Sequence, residues 1–263
     1  MDAVNQIPAP ARPAIRRITT DDVYEALAAG WADFRAAPRF GLFFGGIYAA
    51  AGILIFLQLW VWEQPMWILP LGLAFPLIGP FAAIGLYEVS RRLETGEALE
   101  WPGILDVVWR QRHRQIPAMA FVVLAGFMVW LWAAALMVML FLGRVSAATY
   151  SDPAAVLTSP AGLAMLVVGT LVGGAIAGLL FAVTAVSLPM LMEREIDFVT
   201  AMAASVEAVR QNLRPMLSWA WIIAAGLAVA MVPFFLGLVL VLPVLGHTTW
   251  HIYRATIAPE GEA

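Results

Sequence analysis

The sequence predicts an all-α polytopic membrane protein: six transmembrane helices, arranged as three repeats of an amphipathic helix followed by a helical hairpin. Three observations predict this. Apolar side chains make up 62% of the 263 residues and charged ones 13%, against about half and about a quarter in soluble domains. Five apolar stretches reach or exceed the roughly 20 residues a helix needs to cross the hydrocarbon core. An amphipathic pattern also recurs three times, each time just ahead of an apolar stretch.

In each copy an acidic residue precedes bulky positions at offsets 0, 4, 8, 11 and 15, and a proline closes the pattern. The first copy is Asp22, then Val23, Leu27, Trp31 and Phe34, with Pro38 at the last offset. The second is Glu100, then Trp101, Leu105, Trp109, Arg112 and Ile116 before Pro117. The third is Asp197, then Phe198, Met202, Val206, Val209 and Leu213 before Pro215. These steps keep one helix face apolar, with Arg112 the exception. Proline disfavours the α conformation at the residue before it, so each helix is expected to end or kink there. Thr19 with Asp22 forms a capping-box pair at the start of the first copy.

Ahead of that pair, residues 1–18 hold Pro8, Pro10 and Pro13 and read as a disordered cytoplasmic tail. Repeat one occupies 19–99, with Leu42 to Trp62 as span one and Met66 to Tyr87 returning after the short turn Glu63, Gln64, Pro65. Repeat two occupies 100–195. Its first span is Pro117 to Leu142, a connection rich in turn formers runs from Gly143 to Pro160, and the second span, Ala161 to Met192, is over-long and should tilt or carry a non-spanning end. Repeat three occupies 196–263. Met216 to Tyr253 is too long for one span, and a tight turn near Pro233 makes it two.

All fifteen basic residues are arginine, and fourteen lie in the N-terminal segment, the segments between repeats and the C-terminal tail; only Arg144 lies opposite. The positive-inside rule then places both termini and all three amphipathic helices in the cytoplasm. Trp60, Trp62, Trp67, Trp101, Trp219 and Trp250, near span ends, are expected in the interfacial belts. No cysteine is present, which excludes disulfides, thiolate metal sites and thiol nucleophiles. The net charge of −3 implies no nucleic-acid partner.

Thr19-Thr20-Asp21-Asp22 to Asp33-Phe34-Arg35, Pro38, Gly41-Leu42-Phe43, Gly45-Gly46-Ile47-Tyr48, Tyr87-Glu88-Val89-Ser90-Arg91-Arg92 with Gly96, and the closing stretch from Pro189 through Asp197 to Pro215 form a recognisable set. In these residues the chain resembles the bacterial integral membrane proteins grouped as domain of unknown function 2189. The resemblance implies a multi-pass protein of the bacterial inner membrane. Some members have been labelled as similar to cytochrome c oxidase subunit I, but His113, His247 and His251 are the only histidines, too few for a haem-copper centre.

The candidate functional residues are few. Arg110, Arg112 and Arg114, with Arg91 and Arg92, are candidates for anionic lipid headgroups or for anchoring the topology. Gly169, Gly173, Gly174 and Gly178 form overlapping GxxxG pairs, suited to close helix approach within the bundle or in a dimer; Gly41, Gly45 and Gly46 are suited likewise. Glu88 beside Arg91 and Arg92 reads as a structural ion pair. His247 and His251 share a helix face but lack a third ligand, so no metal is expected. The middles of the spans hold no ionisable residue, where a pump or ion-coupled carrier would keep them, and no nucleotide-binding or catalytic motif is present. The expected function is therefore non-enzymatic and without cofactor: contact with lipids, or an accessory or assembly role beside a protein partner in a larger, possibly respiratory, membrane complex. The alternative is a transporter or channel for a neutral or apolar solute.

Overall fold

The computed structural model describes residues 13–62, 68–143 and 153–259, and among these the fold is built from helices. The turn at Glu63 to Pro65, Arg144 with most of its connection, and residues 1–12 of the expected tail lie outside the described residues. In chain order the helices are α1 (Thr20–Ala36), α2 (Pro38–Trp60), α3 (Ile68–Thr95), α4 (Trp101–Arg110), α5 (Ile116–Leu142), α6 (Pro153–Thr158), α7 (Pro160–Thr184), α8 (Ser187–Glu193), α9 (Phe198–Gln211), α10 (Leu213–Met231) and α11 (Leu238–Thr256).

The helix boundaries follow local chemistry. Thr19 caps α1 through the predicted box: its backbone N–H donates to Asp22 Oδ2 at 2.6 Å, and Asp22 N–H donates to Thr19 Oγ1 at 3.3 Å. Pro38 ends α1 and opens α2 at a first-turn position that needs no N–H. Asp197 caps α9, accepting from Thr200 N–H at 2.9 Å. Apolar residues 213–256 divide into α10 and α11 around a turn containing Pro233, where the sequence placed it. Phe234 and Phe235 there hold φ of 50° and 66°, a strained region for aromatic residues.

Among the described residues, four helical segments are long and apolar enough to cross a membrane: Pro38–Gln58, Ile116–Leu142, Pro160–Glu193 and Leu213–Met231. α3 and α11, counted from sequence as spans two and six, are not among the four. α11 turns polar from His247 onward. The over-long fourth segment, expected to tilt or to carry a non-spanning end, is interrupted after Thr184. α7 ends at Thr184, Val186 N–H donates to Ser205 Oγ of α9 at 3.1 Å, and α8 begins a new, largely buried turn at Ser187.

The chain divides into two compact units, residues 1–120 with 182–263, and residues 121–181; this division does not follow the three repeats. In the first, α11 packs against α1, α2, α3, α8 and α10. Glycines set the spacing. A side chain at Gly30 would strike Thr248, one at Gly52 the Phe235 ring, one at Gly85 the Phe44 ring and one at Gly246 Leu86. Phe40, Phe44, Tyr48, Leu86, Val89 and Ile104 form a core between α2, α3 and α4. Trp219 and Trp250 are fully buried, so these two belong to the core, not to the interfacial belt expected of them. Apolar packing around α11 offers them more contact than an interface does.

Part of the segment read as a disordered tail is tied down. Ile15 bridges Ile257 in antiparallel pairing, Arg16 N–H donates to Thr256 O at 2.7 Å, and Asn212 takes Ile18 N–H at 2.8 Å while donating to Arg16 O at 3.0 Å. Backbone pairing to the C-terminal segment supplies the order that composition did not suggest.

The second unit is a hairpin of α5 and α7 segments with α6 between them. No residue in the most apolar stretch of either long helix is buried within the chain. Trp130, Met137, Met165 and Gly173 help line an apolar groove of about 420 Å³.

Candidate functional site

The last two turns of α3 carry four charges, Glu88, Arg91, Arg92 and Glu94. Spacings of three and four residues stack Glu88, Arg91 and Arg92 on one face. Arg91 Nε donates to Glu88 Oε2 at 2.8 Å and Arg92 Nε to Glu88 Oε1 at 2.6 Å, and the Glu88 side chain is only 2% exposed. Arg91 also grips Glu97, at 2.7 and 2.9 Å. Gly96, at φ of 72°, turns the chain so that Glu97 N–H reaches Arg92 O at 2.9 Å. This is the left-handed helix end that glycine favours. The guanidinium of Arg91, then the Thr95 hydroxyl, holds the Glu97 carboxyl below its ordinary range.

α8 and α11 bring up a second layer. Arg254 reaches Glu94 at 2.9 Å and Glu193 at 3.2 Å, and Trp250 Nε1 donates to Glu94 Oε2 at 3.0 Å. The Tyr253 hydroxyl donates to Glu193 and accepts from Arg194 Nε at 3.2 Å, and Arg194, itself buried, also donates to Ala258 O. Burial of a charge is tolerable only when such partners surround it.

α4 and the 3-10 turn Gln111–His113 complete a cleft of about 620 Å³. Its lining includes four arginines, Arg91, Arg110, Arg114 and Arg254, and four carboxylates, Glu88, Glu94, Glu193 and Glu195. Its charges balance. Arg110 pairs with Asp106 at 2.7 Å and Arg114 with Glu195 at 2.7 Å, both through well-exposed carboxylates. Arg114 also donates to Arg194 O at 3.2 Å. Such exposed pairs contribute about 0–1 kcal/mol and open readily.

The five arginines singled out in the sequence therefore differ in setting. Arg91 and Arg92 lock Glu88, which is the ion pair expected there. Arg110 and Arg114 line the cleft. Arg112 lies over the exposed Trp109 ring, 3.6 Å from its centroid, and its Nε contacts His113 Nε2 at 2.7 Å. The glycines differ too. A side chain at Gly41 would strike Phe34 and one at Gly45 would strike Pro243, so these two serve close packing of α2. Positions 46, 169, 174 and 178 meet nothing within 4 Å, and Gly173 faces only Trp130 at 3.6 Å. The α7 stripe thus makes no close helix approach among the described residues.

His247 and His251 serve different partners. His247 Nδ1 lies 2.8 Å from Ser90 Oγ in the core, and His251 Nε2 lies 2.8 Å from Asp33 Oδ2, joining α11 to α1. Glu94, Glu193, Arg194, Tyr253 and Arg254 were not singled out from sequence as site residues, and Trp250 was expected at an interface. Glu193-Arg194-Glu195 after an apolar run was a signal. Its link to residues 94 and 254 comes only from tertiary packing.

Long apolar helices beside a buried ionic network define an all-helical integral membrane protein. Residues 68–193 match the family of predicted integral membrane proteins, DUF2189. The match contains Tyr87 to Arg92, Gly96 and Pro189; the likeness at Thr19 to Tyr48 and Asp197 to Pro215 lies outside it. No curated protein and no solved structure matches the chain.

Proposed function

We propose that the protein is a non-enzymatic, six-span component of the bacterial inner membrane, built from three repeats, that holds the cytoplasmic leaflet with α1, α4 and α9 as a lipid-contacting or accessory subunit of a larger complex. One observation carries the reading. Each surface helix packs one face into the chain and leaves bulky apolar residues exposed on another. α1 buries Val23, Ala26, Gly30 and Phe34 but exposes Tyr24 and Trp31, α4 buries Ile104 but exposes Leu105 and Trp109, and α9 buries Ala201, Ser205, Ala208 and Val209 but exposes Val199. Trp31 is 43% and Trp109 63% exposed, a placement that suits a headgroup layer. A helix break and an early proline follow each surface helix, at Pro38, Pro117 and Pro215, which supports the threefold repeat. The arginine distribution supports cytoplasmic termini, and Arg112 over Trp109 offers a cation at that surface to anionic lipid.

The competing reading, a carrier or channel for a neutral or apolar solute, calls for an uncharged central cavity. The cleft described above is lined by eight charged side chains, which does not favour it.

Nitroxide labels test the proposal in reconstituted bilayers. Labels at 31, 105, 109 and 206 should be relaxed more by oxygen than by a water-soluble nickel chelate, and labels at Asp21 and Gln211 the reverse. Equal aqueous access at all six positions would refute it.

A further inference from the structure

The charged cleft contains an asymmetry that structural ion pairing does not use. On the α3, α8 and α11 wall every carboxylate has two side-chain partners: Glu88 has Arg91 and Arg92, Glu94 has Arg254 and Trp250, Glu193 has Arg254 and Tyr253. On the α4 wall, Arg110 and Arg114 are held by exposed Asp106 and Glu195, pairs that cost little to exchange. Between those arginines in sequence, Gln111 lines the cleft, is 3% exposed, and its Oε1 has no hydrogen-bond partner. A buried acceptor left unsatisfied costs about 1–3 kcal/mol, which a donor-bearing ligand recovers. The volume of about 620 Å³ lies within the usual range of small-ligand sites.

From this geometry we infer that the cleft binds a compact zwitterion, an ammonium linked to an anionic phosphodiester or carboxylate. The anionic end takes Arg110 and Arg114 from their exposed carboxylates, and the ammonium donates to Gln111 Oε1 and to the carboxylates of the facing wall. A lining of four arginines and four carboxylates matches a ligand of no net charge better than a plain anion or cation. Ethanolamine phospholipid headgroups and free solutes of the same build share this chemistry. The inference rests on the cleft alone, whether or not the surface helices touch lipid.

The test is calorimetric titration of the purified full-length protein in detergent with glycerophosphoethanolamine, and with glycerophosphoglycerol, which lacks the ammonium. Retained lipid is measured in parallel by native mass spectrometry after extraction from mixed phosphatidylethanolamine and phosphatidylglycerol nanodiscs. Saturable binding of the first compound but not the second, weakened about tenfold or more in Arg110→Gln, Arg114→Gln and Gln111→Leu and unchanged in Arg210→Gln, supports a site open to free solutes. Selective retention of phosphatidylethanolamine, lost in the same three variants, supports a lipid headgroup site. Thermal melting of each variant separates lost binding from lost fold, and Arg110, at the exposed end, gives the variant least able to disturb packing. No binding in either arm, equal binding of both compounds, or binding indifferent to all three folded variants would overturn the inference.

Discussion

Gly45 of α2 and Pro243 of α11 are packed so closely that a side chain at position 45 would lie 2.8 Å from the proline ring and 2.8 Å from the carbonyl oxygen of Val239. A proline inside a helix leaves the carbonyl one turn earlier without its helical N–H, and that carbonyl is Val239's. The bare face of α2 covers it.

Gly45→Ala should therefore destabilise the protein by about 1–3 kcal/mol, because neither a ring nor a backbone carbonyl yields as a flexible side chain would. Gly174→Ala, where nothing lies within 4 Å, should stabilise by about 0.5–1 kcal/mol through helix propensity alone. Thermal unfolding in detergent checks both. Equal melting temperatures for the two variants would show that α2 and α11 are not in this contact.

Removing Glu88 should be costly. Glu88→Ala leaves the largely buried Arg92 guanidinium without a carboxylate, while Arg91 keeps Glu97, and uncompensated buried charge costs about 3 kcal/mol. Glu97→Ala, at the exposed end of the same network, should change stability far less. Similar melting curves for these two variants would contradict the burial of Glu88.

Acid should loosen the ends of α3 and α9. Hydrogen bonds from Arg91 hold the Glu97 carboxyl low, and hydrogen bonds from Thr200 hold that of Asp197 low. A folded pKa below the unfolded one gives stability that is full above the ordinary carboxylate range, about pH 4, and is lost as pH falls through the folded value. Melting temperature should thus hold level from pH 8 to about 5 and fall below about 4. Asp197→Asn should shallow that fall, since asparagine still caps a helix. An unchanged acid profile in this variant would remove Asp197 from the account.

How much could be read in advance varies with the physics involved. Local signals carried through: the Thr19 and Asp22 box, the stop at Pro38, the division near Pro233, and the Glu88 ion pair all depend on residues within a few positions of one another. Long-range packing did not. Trp219 and Trp250 sit near span ends, where tryptophan favours an interface, yet both are enclosed by helices distant in sequence. The GxxxG stripe of α7 and the Gly41 and Gly45 pair look alike as strings, and only the second is pressed closely against neighbouring helices. The cleft was legible as single charges but not as a site, because α3, α4, α8 and α11 bring those charges together from 88 to 254.

Ion movement offers another check. Glu88, Glu94 and Glu193 are all spent on arginine partners, and the spans offer few polar groups at depth. Liposomes containing the protein under an imposed potential and pH gradient should lose neither faster than empty liposomes. A protein-dependent ion current would favour the carrier reading.

The central claim is that α1, α4 and α9 lie on one side of the membrane, with the connection around residue 150 on the other. Because the natural chain has no cysteine, single cysteines introduced at Asp21, Arg110, Glu207 and Ser151 report without background. In spheroplasts, a membrane-impermeant maleimide should label position 151 directly and positions 21, 110 and 207 only after the membrane is permeabilised. Labelling of any of those three from outside intact spheroplasts would contradict the shared face and, with it, the threefold repeat.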